Sequence, residues 1–218
     1  MIMTHQGELF TSAPLDNLKY EKSAYSKGCQ YVAGIDEAGR GPLAGPVMAA
    51  AVILPVGLSI NGVDDSKKLT PGKREKLFDI IMSQALSVGV GIITATDIDR
   101  INILQATRKA MLAAVHQLYP APDYLLIDGI STIDSVTTQK TIKKGDSLSL
   151  SIAAASIIAK VTRDRLMIEL DTKYPGYGFA GHNGYGSAAH MDAIRRLGPS
   201  PIHRLTFAGV REFVDSNI

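Results

Sequence analysis

The sequence predicts an α/β protein built on a mixed five-stranded sheet flanked by helices. Two observations carry this expectation. Four short apolar runs and a fifth segment of alternating character recur along the chain, and segments with helix-start signals lie between and after them. The order of the runs adds a topology. Three early strands in succession can pair antiparallel, whereas a long helical connection before the fourth implies a crossover that sets it parallel to a predecessor.

The chain opens on a polar, weakly patterned stretch, residues 1–28, which reads as a lead-in segment with a helix from about Leu15 to Tyr25. Residues 29–218 then form a single domain. Tyr31-Val32-Ala33-Gly34-Ile35 is a buried strand that runs into acids and glycines, and Pro46 to Leu54 is a second. Val88 to Ala95 is a third, interrupted by Gly89 and Gly91. Tyr124 to Ile127 is the fourth strand and Thr137 to Ile142 the fifth. Thr70-Pro71 pairs an N-cap with proline at the first helical position, opening a helix to about Ala85. Thr96-Asp97-Ile98-Asp99 approximates a capping box, and the segment after it places Leu104, Met111, Val115 and Leu118 on one stripe. Ser149 to about Lys173 is the longest helix; its Ala153-Ala154-Ala155-Ser156 run is small enough to lie close against a sheet or a substrate. Pro175-Gly176 ends it, and Gly186 to Leu197 and Phe207 to Val214 read as shorter helices.

Composition narrows the function classes. The 218 residues are 45% hydrophobic and 20% charged, the proportions of an ordinary globular chain. Lys and Arg number 23 against 21 Asp and Glu, so the net charge of +2 does not itself point to nucleic acid and has to be read locally. The longest apolar run, Val47 to Leu54, stops at Pro55, far short of the roughly 18 residues of a membrane span. The N-terminal residues lack a basic and then apolar signal-peptide pattern. Cys29 is the single cysteine, which excludes an internal disulfide and suits a reducing cytoplasm; with five scattered histidines it argues against structural zinc. A cytoplasmic monomer with no membrane partner is expected.

The chemistry concentrates at strand ends. Asp36 and Glu37 follow the first strand and lead into Gly39-Arg40-Gly41, while Asp128 ends the fourth and is followed by Gly129. If those strands are parallel neighbours, Asp36 and Asp128 meet at the carboxyl edge, where open α/β sheets bind ligands. Asp146, after the fifth strand, is placed to complete the group. Clustered carboxylates cannot all stay ionised without a cation. With oxygen ligands alone, Mg²⁺ or Mn²⁺ is the natural ion. The competing reading of an Asp-Gly at a strand end is a turn signal. Asp36 beside Glu37 resists that reading, because adjacent acids gain nothing from burial, yet successive strand residues face opposite ways unless the strand turns at Glu37. The Gly39–Gly41 loop, with Gly45 nearby, lets backbone amides approach a phosphate or ribose, but its spacing is neither a P-loop nor a dinucleotide fingerprint.

At Gly34-Ile35-Asp36-Glu37-Ala38-Gly39-Arg40-Gly41-Pro42-Leu43-Ala44-Gly45-Pro46-Val47 the chain resembles the ribonuclease HII family. The resemblance continues through Asp65-Ser66-Lys67-Lys68-Leu69, Ile127-Asp128-Gly129, Lys144-Gly145-Asp146, Ala154 to Asp164 and Ser200-Pro201-Ile202-His203-Arg204. It implies a ribonuclease H-like fold with a C-terminal helical segment. The implied activity is a two-metal-ion endonuclease acting on RNA–DNA hybrids and on single ribonucleotides embedded in duplex DNA. Such an enzyme cuts 5′ to the ribonucleotide, leaves 3′-hydroxyl and 5′-phosphate ends, and serves ribonucleotide removal from DNA. By motif match Asp36, Glu37 and Asp128 are the metal-binding acids and Asp146 the fourth. Gly39, Arg40 and Gly41 read the ribose 2′-hydroxyl, Ser66 and Lys67 contact the substrate, and Tyr185 packs on the sugar. Asn183 departs from the family, where lysine is common.

Other cations, Lys68, Lys143, Lys144, Lys160 and Arg163, are candidates for phosphate contact, against the ordinary reading of a solvated surface. His182, His190 and His203 read as surface or satisfied core, and Cys29 as small and apolar. A nucleic-acid binder that has lost cleavage, or a nucleotide hydrolase using the glycine loop, are the alternatives. Four acids facing phosphates would penalise a pure binder.

Overall fold

The structure, a computed structural model, describes residues 16–63, 66 and 69–214. The apolar runs form β1 (Val32–Ala38), β2 (Val47–Ile53), β3 (Ser87–Ile93) and β4 (Tyr124–Asp128), and the alternating segment forms β5 (Thr138–Ile142). The sheet order is β3-β2-β1-β4-β5. β1 pairs antiparallel with β2, and β2 with β3; β1 and β4, and β4 and β5, are parallel. This is the mixed sheet the sequence predicts. β2 is buried along its whole length, which its run of valine, alanine and isoleucine permits.

The helices are α1 (Lys19–Tyr25), α2 (Pro71–Gln84), α3 (Ala95–Ile101), α4 (Ile103–Val115), α5 (Leu150–Lys173), α6 (Phe179–His182) and α7 (Ala188–Leu197). α5 covers one face of the sheet, where Ala154, Ile157 and Ile158 join Ala50 and Val52, with Leu77 and Ile81 of α2 behind them. α4 covers the other, packing Ala110, Met111, Ala114 and Val115 on Ile35, Ala49, Ala51 and Ile53. Both helices approach closely because glycines face them. A Cβ on Gly91 would lie 2.0 Å from the Ala110 carbonyl oxygen, and one on Gly89 2.1 Å from that of Ala114. The glycines that interrupt β3 in the sequence are thus what lets α4 lie against it.

Side-chain oxygens mark the helix starts. Thr70 accepts from the Lys73 amide, Ser149 from Ile152 and Ser187 from His190. The expected box at Thr96 sits one turn-fragment earlier: Thr94 accepts from the Asp97 amide at 3.2 Å and donates to its carboxylate at 2.8 Å. Asn102, at φ 66°, then divides the expected helix and caps α4. Leu104 in the first turn of α4 is exposed, since Ala106 makes the contact there with Val47 and Ile98. Residues 207–214 are not an α-helix but contain a 3₁₀ turn, Arg211–Phe213, after Gly209 at φ 92°. Leu15, the expected start of the first helix, and residues 215–218 lie outside the described residues.

Buried Glu21 ties α1 to the start of α5: one carboxylate oxygen accepts from the Ser149 hydroxyl, the Ser151 hydroxyl and the Ser151 amide. A negative charge at a helix N-terminus is favourably placed. Among the described residues no helix is long and apolar enough to cross a membrane.

The close contact between α5 and the sheet is at Gly34 of β1, where a Cβ would stand 2.1 Å from the Ser151 backbone carbon and 2.3 Å from the Ile152 nitrogen. Backbone cannot give way as a side chain can. Gly34→Ala is expected to cost about 3 kcal/mol, the upper part of the usual overpacking range, measured as a lowered urea midpoint.

Candidate active site

The site forms where β1 and β4 part. Their pairing ends at Ile35 opposite Ile127, so Asp36 and Asp128 are the next residues on the two parallel strands, at the point where strand order reverses. β1 does not turn at Glu37; its pairing with β2 continues through Glu37 opposite Ala49 and Ala38 opposite Met48. Asp36 is buried and accepts from the Glu37 amide at 2.7 Å. Burial, then the charges of Glu37 and Asp128, push its carboxyl well above the ordinary carboxylate range, with the Glu37 amide and the Ser156 hydroxyl opposing. Asp128 is oriented by the Gly145 amide, which donates to it at 2.6 Å.

Asp146 follows in the 3₁₀ turn Gly145–Ser147. It is buried and lines a cavity of about 600 Å³ with Asn17, Leu69, Lys73 and Ser149. The structure therefore joins Asp36, Glu37 and Asp128 electrostatically and puts Asp146 in the turn whose Gly145 amide holds Asp128. Among the described residues no three His, Cys, Asp or Glu side chains stand close enough to enclose an ion by themselves. The donor chemistry still fits a hard cation. All the groups are oxygen ligands, and the repulsion that raises Asp36 is what a divalent charge relieves. Mg²⁺ in particular binds through one or two carboxylates and completes its shell with water and phosphate oxygens.

A second cavity, of about 430 Å³, adjoins this group through Glu37. Gly39, Arg40 and Gly41 form one wall, Tyr185 another, and Ser66 and Ser156 also line it. Ser156 and Ser66 share a hydrogen bond of 2.8 Å. Arg74, which the sequence left unmarked, donates to the carbonyls of Ser66 and Leu69 and so fixes that segment. Lys67 and Lys68 lie outside the described residues. Lys160 is paired with Asp164 at 2.7 Å, and Lys143 and Lys144 are exposed. Arg163 is not a surface cation; it is buried and donates to three backbone carbonyls. Asn183 adopts a left-handed conformation, φ 50°, which asparagine tolerates better than lysine.

Of the histidines read as surface or satisfied core, His190 and His203 are buried and hydrogen-bonded, with a consequence for Tyr185. The Ser200 amide donates to His203 Nδ1, so the His203 proton sits on Nε2 and is donated to His190 Nε2 at 3.0 Å. His190 Nδ1 then donates to the Tyr185 carbonyl at 2.9 Å. Its ring stacks on His182 at 4.3 Å. Both members of this chain are neutral, and it holds the backbone of a tyrosine whose own ring is half exposed.

Burial and the neighbouring His190 lower the His203 pKa from 6.5 to about 4. Between those values the unfolded chain binds the proton and the folded one does not. The stability contributed by the neutral ring is therefore complete above pH 6.5 and is lost as pH falls through the window, on the order of 3 kcal/mol in full. Urea unfolding across that range should show stability falling with acid in the native chain and a shallower fall in His203→Gln. A second pair of variants separates packing from recognition. A Cβ on Gly39, at φ 91°, would meet Arg163 Nε at 2.1 Å, whereas one on Gly41 meets only the Tyr185 ring at 3.6 Å. Gly39→Ala should lose about 2 kcal/mol of stability. Gly41→Ala should fold within about 0.5 kcal/mol of the parent yet bind its ligand less well, because it fills the gap facing Tyr185.

The geometry agrees with comparisons to known proteins. The family model described as Ribonuclease HII matches residues 33–210. A Ribonuclease HII of Pelobacter propionicus is 69% identical over 209 residues, covering 96% of this chain and 95% of its own. Among solved structures, the ribonuclease H2 of Pyrococcus horikoshii OT3 superposes with a TM-score of 0.71 at 30% identity, covering 85% of this chain and 98% of that one. Bst-RNase HIII in complex with Mn²⁺ shares the fold with a TM-score of 0.65 at 21% identity, over 88% of this chain and 72% of that one. Motif order, sheet topology and the match along nearly the whole chain lead to one assignment: the chain belongs to the ribonuclease HII family and is a ribonuclease H.

Proposed function

We propose that the chain cleaves RNA–DNA hybrids and duplex DNA carrying single ribonucleotides, cutting 5′ to the ribonucleotide and leaving 3′-hydroxyl and 5′-phosphate ends. The observation that carries this is the sharing of Glu37 between the strand-end acids and the cavity walled by Gly39–Gly41 and Tyr185. A sugar in that cavity puts the adjoining phosphate beside Asp36 and Asp128. Ribonucleotide removal from DNA is the role that follows from this selectivity.

Asp36, Glu37 and Asp128 would hold Mg²⁺ or Mn²⁺, with Asp146 alongside. When bound, the ion supplies Lewis-acid stabilisation of the phosphoryl oxygens and lowers the pKa of attacking water. The chain's own residues do the rest. The Gly145 amide keeps Asp128 aimed at the strand end, and the Glu37 amide keeps Asp36 there. The backbone of Gly39–Gly41 meets the 2′-hydroxyl, the one group that separates ribose from deoxyribose at a given position. Tyr185 offers a flat apolar face to the sugar, and Arg40, half exposed and 3.2 Å from Glu37, can turn to a phosphate.

The test is cleavage of an end-labelled duplex with one ribonucleotide, in Mg²⁺, in Mn²⁺ and in chelator, beside an all-DNA twin. A metal-dependent cut 5′ to the ribonucleotide, absent from the twin, is expected. Asp36→Asn should lower kcat roughly a thousandfold. Its duplex affinity should hold or rise, because a negative charge facing phosphate is gone. Binding without any cut in the native chain would instead mean a family member that has lost catalysis.

A further inference from the structure

Two arginines are fully buried with no carboxylate bonded to either among the described residues. Arg163 on α5 donates through Nε to the Pro46 carbonyl, through Nη2 to Ala44 and through Nη1 to Asn183, at 3.0–3.2 Å. Arg204, which ends the Ser200–Arg204 motif, donates to the carbonyls of Gly39, Arg40 and Gly45. Six carbonyls from the glycine loop and the Tyr185 segment thus turn towards two guanidiniums. A desolvated cation is costly, and these two also repel each other; burial and Arg163 together lower the Arg204 pKa to about 9. Apolar side chains would fill the same space more cheaply. What they lack is a rigid planar fork that can grip several carbonyls at once.

We propose that Arg163 and Arg204 are positioning residues that set the ribose selectivity of the cavity. By drawing the Gly39 and Arg40 carbonyls inward they leave the amides of Arg40 and Gly41, on the opposite edges of the same planar peptides, facing outward. Those amides make no hydrogen bond among the described residues. Arg163 also fills the inner side of Gly39, where a Cβ would strike it, so the turn cannot sink away from a ligand. Because Arg163 reaches both Ala44 and Asn183, one guanidinium fixes the spacing between the loop and the strand of backbone that carries Tyr185. The Ala44–His203 bridge and the Arg204 amide bonded to the Leu43 carbonyl lock the same loop from its other side.

The proposal rests on the cavity being the ribose site, and the experiment separates the two. Arg204→Lys and Arg163→Lys keep the charge and lose the fork. For the native chain and both variants, kcat and KM are measured on the one-ribonucleotide duplex. The affinities for that duplex and its all-DNA twin are measured in chelator by fluorescence anisotropy, and the rate is titrated with Mg²⁺. The expected result is a kcat/KM lower by tenfold to about a hundredfold and an affinity margin between the two duplexes that shrinks in step. The Mg²⁺ concentration for half-maximal rate should stay unchanged, because neither arginine touches the acids; general loosening of the fold would shift it as well. Variants that discriminate as well as a discriminating native chain overturn the proposal alone. Failure of both lysine variants to fold assigns the arginines to stability and also overturns it. A native chain that neither cuts at the ribonucleotide nor prefers it overturns the reading of the cavity, and the proposal with it.

Discussion

The close approach of α5 to β1 across Gly34 is the contact on which the rest of the site depends. A helix of 24 residues is stiff, so its register against the sheet, once set at one point, is set along its length. One turn beyond Gly34, Ser156 stands near Asp36 and bonds Ser66. About one and two turns further, Lys160 and Arg163 reach the wall of the second cavity and the glycine loop. At the N-terminal end, Ser149 and Ser151 receive Glu21, just after the turn that carries Asp146. Small side chains at Ala153–Ala155 make this possible, because bulk there would hold helix and sheet apart and release every one of these partners together.

The charges at this end of the molecule are kept in separate company. Asp36 is raised by burial and by other acids, while the buried arginines are satisfied by carbonyl oxygens. Pairing Arg163 with Asp36 would have been the simpler way to bury both. It would also have neutralised the carboxylate and weakened its pull on a cation. Giving the guanidiniums neutral partners leaves the acids without a neutralising cation from the arginines and adds positive potential beneath the cavity lined by the glycine loop.

Much of the scaffold was legible because its signals are local. Thr70-Pro71 and Ser149 cap helices where the sequence places them, and an apolar run ending in Asp36 is a strand whose end faces a crevice. The failures have one cause. Thr94 and Thr96 each precede an aspartate by three residues, so spacing cannot choose between them. Asp99 is taken instead by the amides of Leu205 and Thr206, over a hundred residues away. Arg163 read as a surface cation and Arg204 as part of a motif without a role, because the carbonyls that bury them come from segments far apart in the chain. The histidine chain behind Tyr185 is hidden for the same reason: three imidazoles are unremarkable until α7 and the Ser200–Arg204 turn bring two of them within hydrogen-bond range.

Gly39 has a packing requirement that its place in a glycine loop does not announce. Glycine in such a loop suggests room for a ligand, yet the space beside its Cα is occupied from inside, by Arg163. The loop is permissive in conformation and rigid in position. That combination suits a site that must tell one hydroxyl from none. Discrimination by a hydrogen bond to a hydroxyl is strong only when the protein's group cannot relax to another partner once the hydroxyl is missing. A backbone amide has no rotamer to change, and a loop held through the carbonyls of Gly39, Arg40, Ala44 and Gly45 has little room to move. In the proposed reading, selectivity of this kind resides as much in the buried guanidiniums behind the loop as in the loop's own amides.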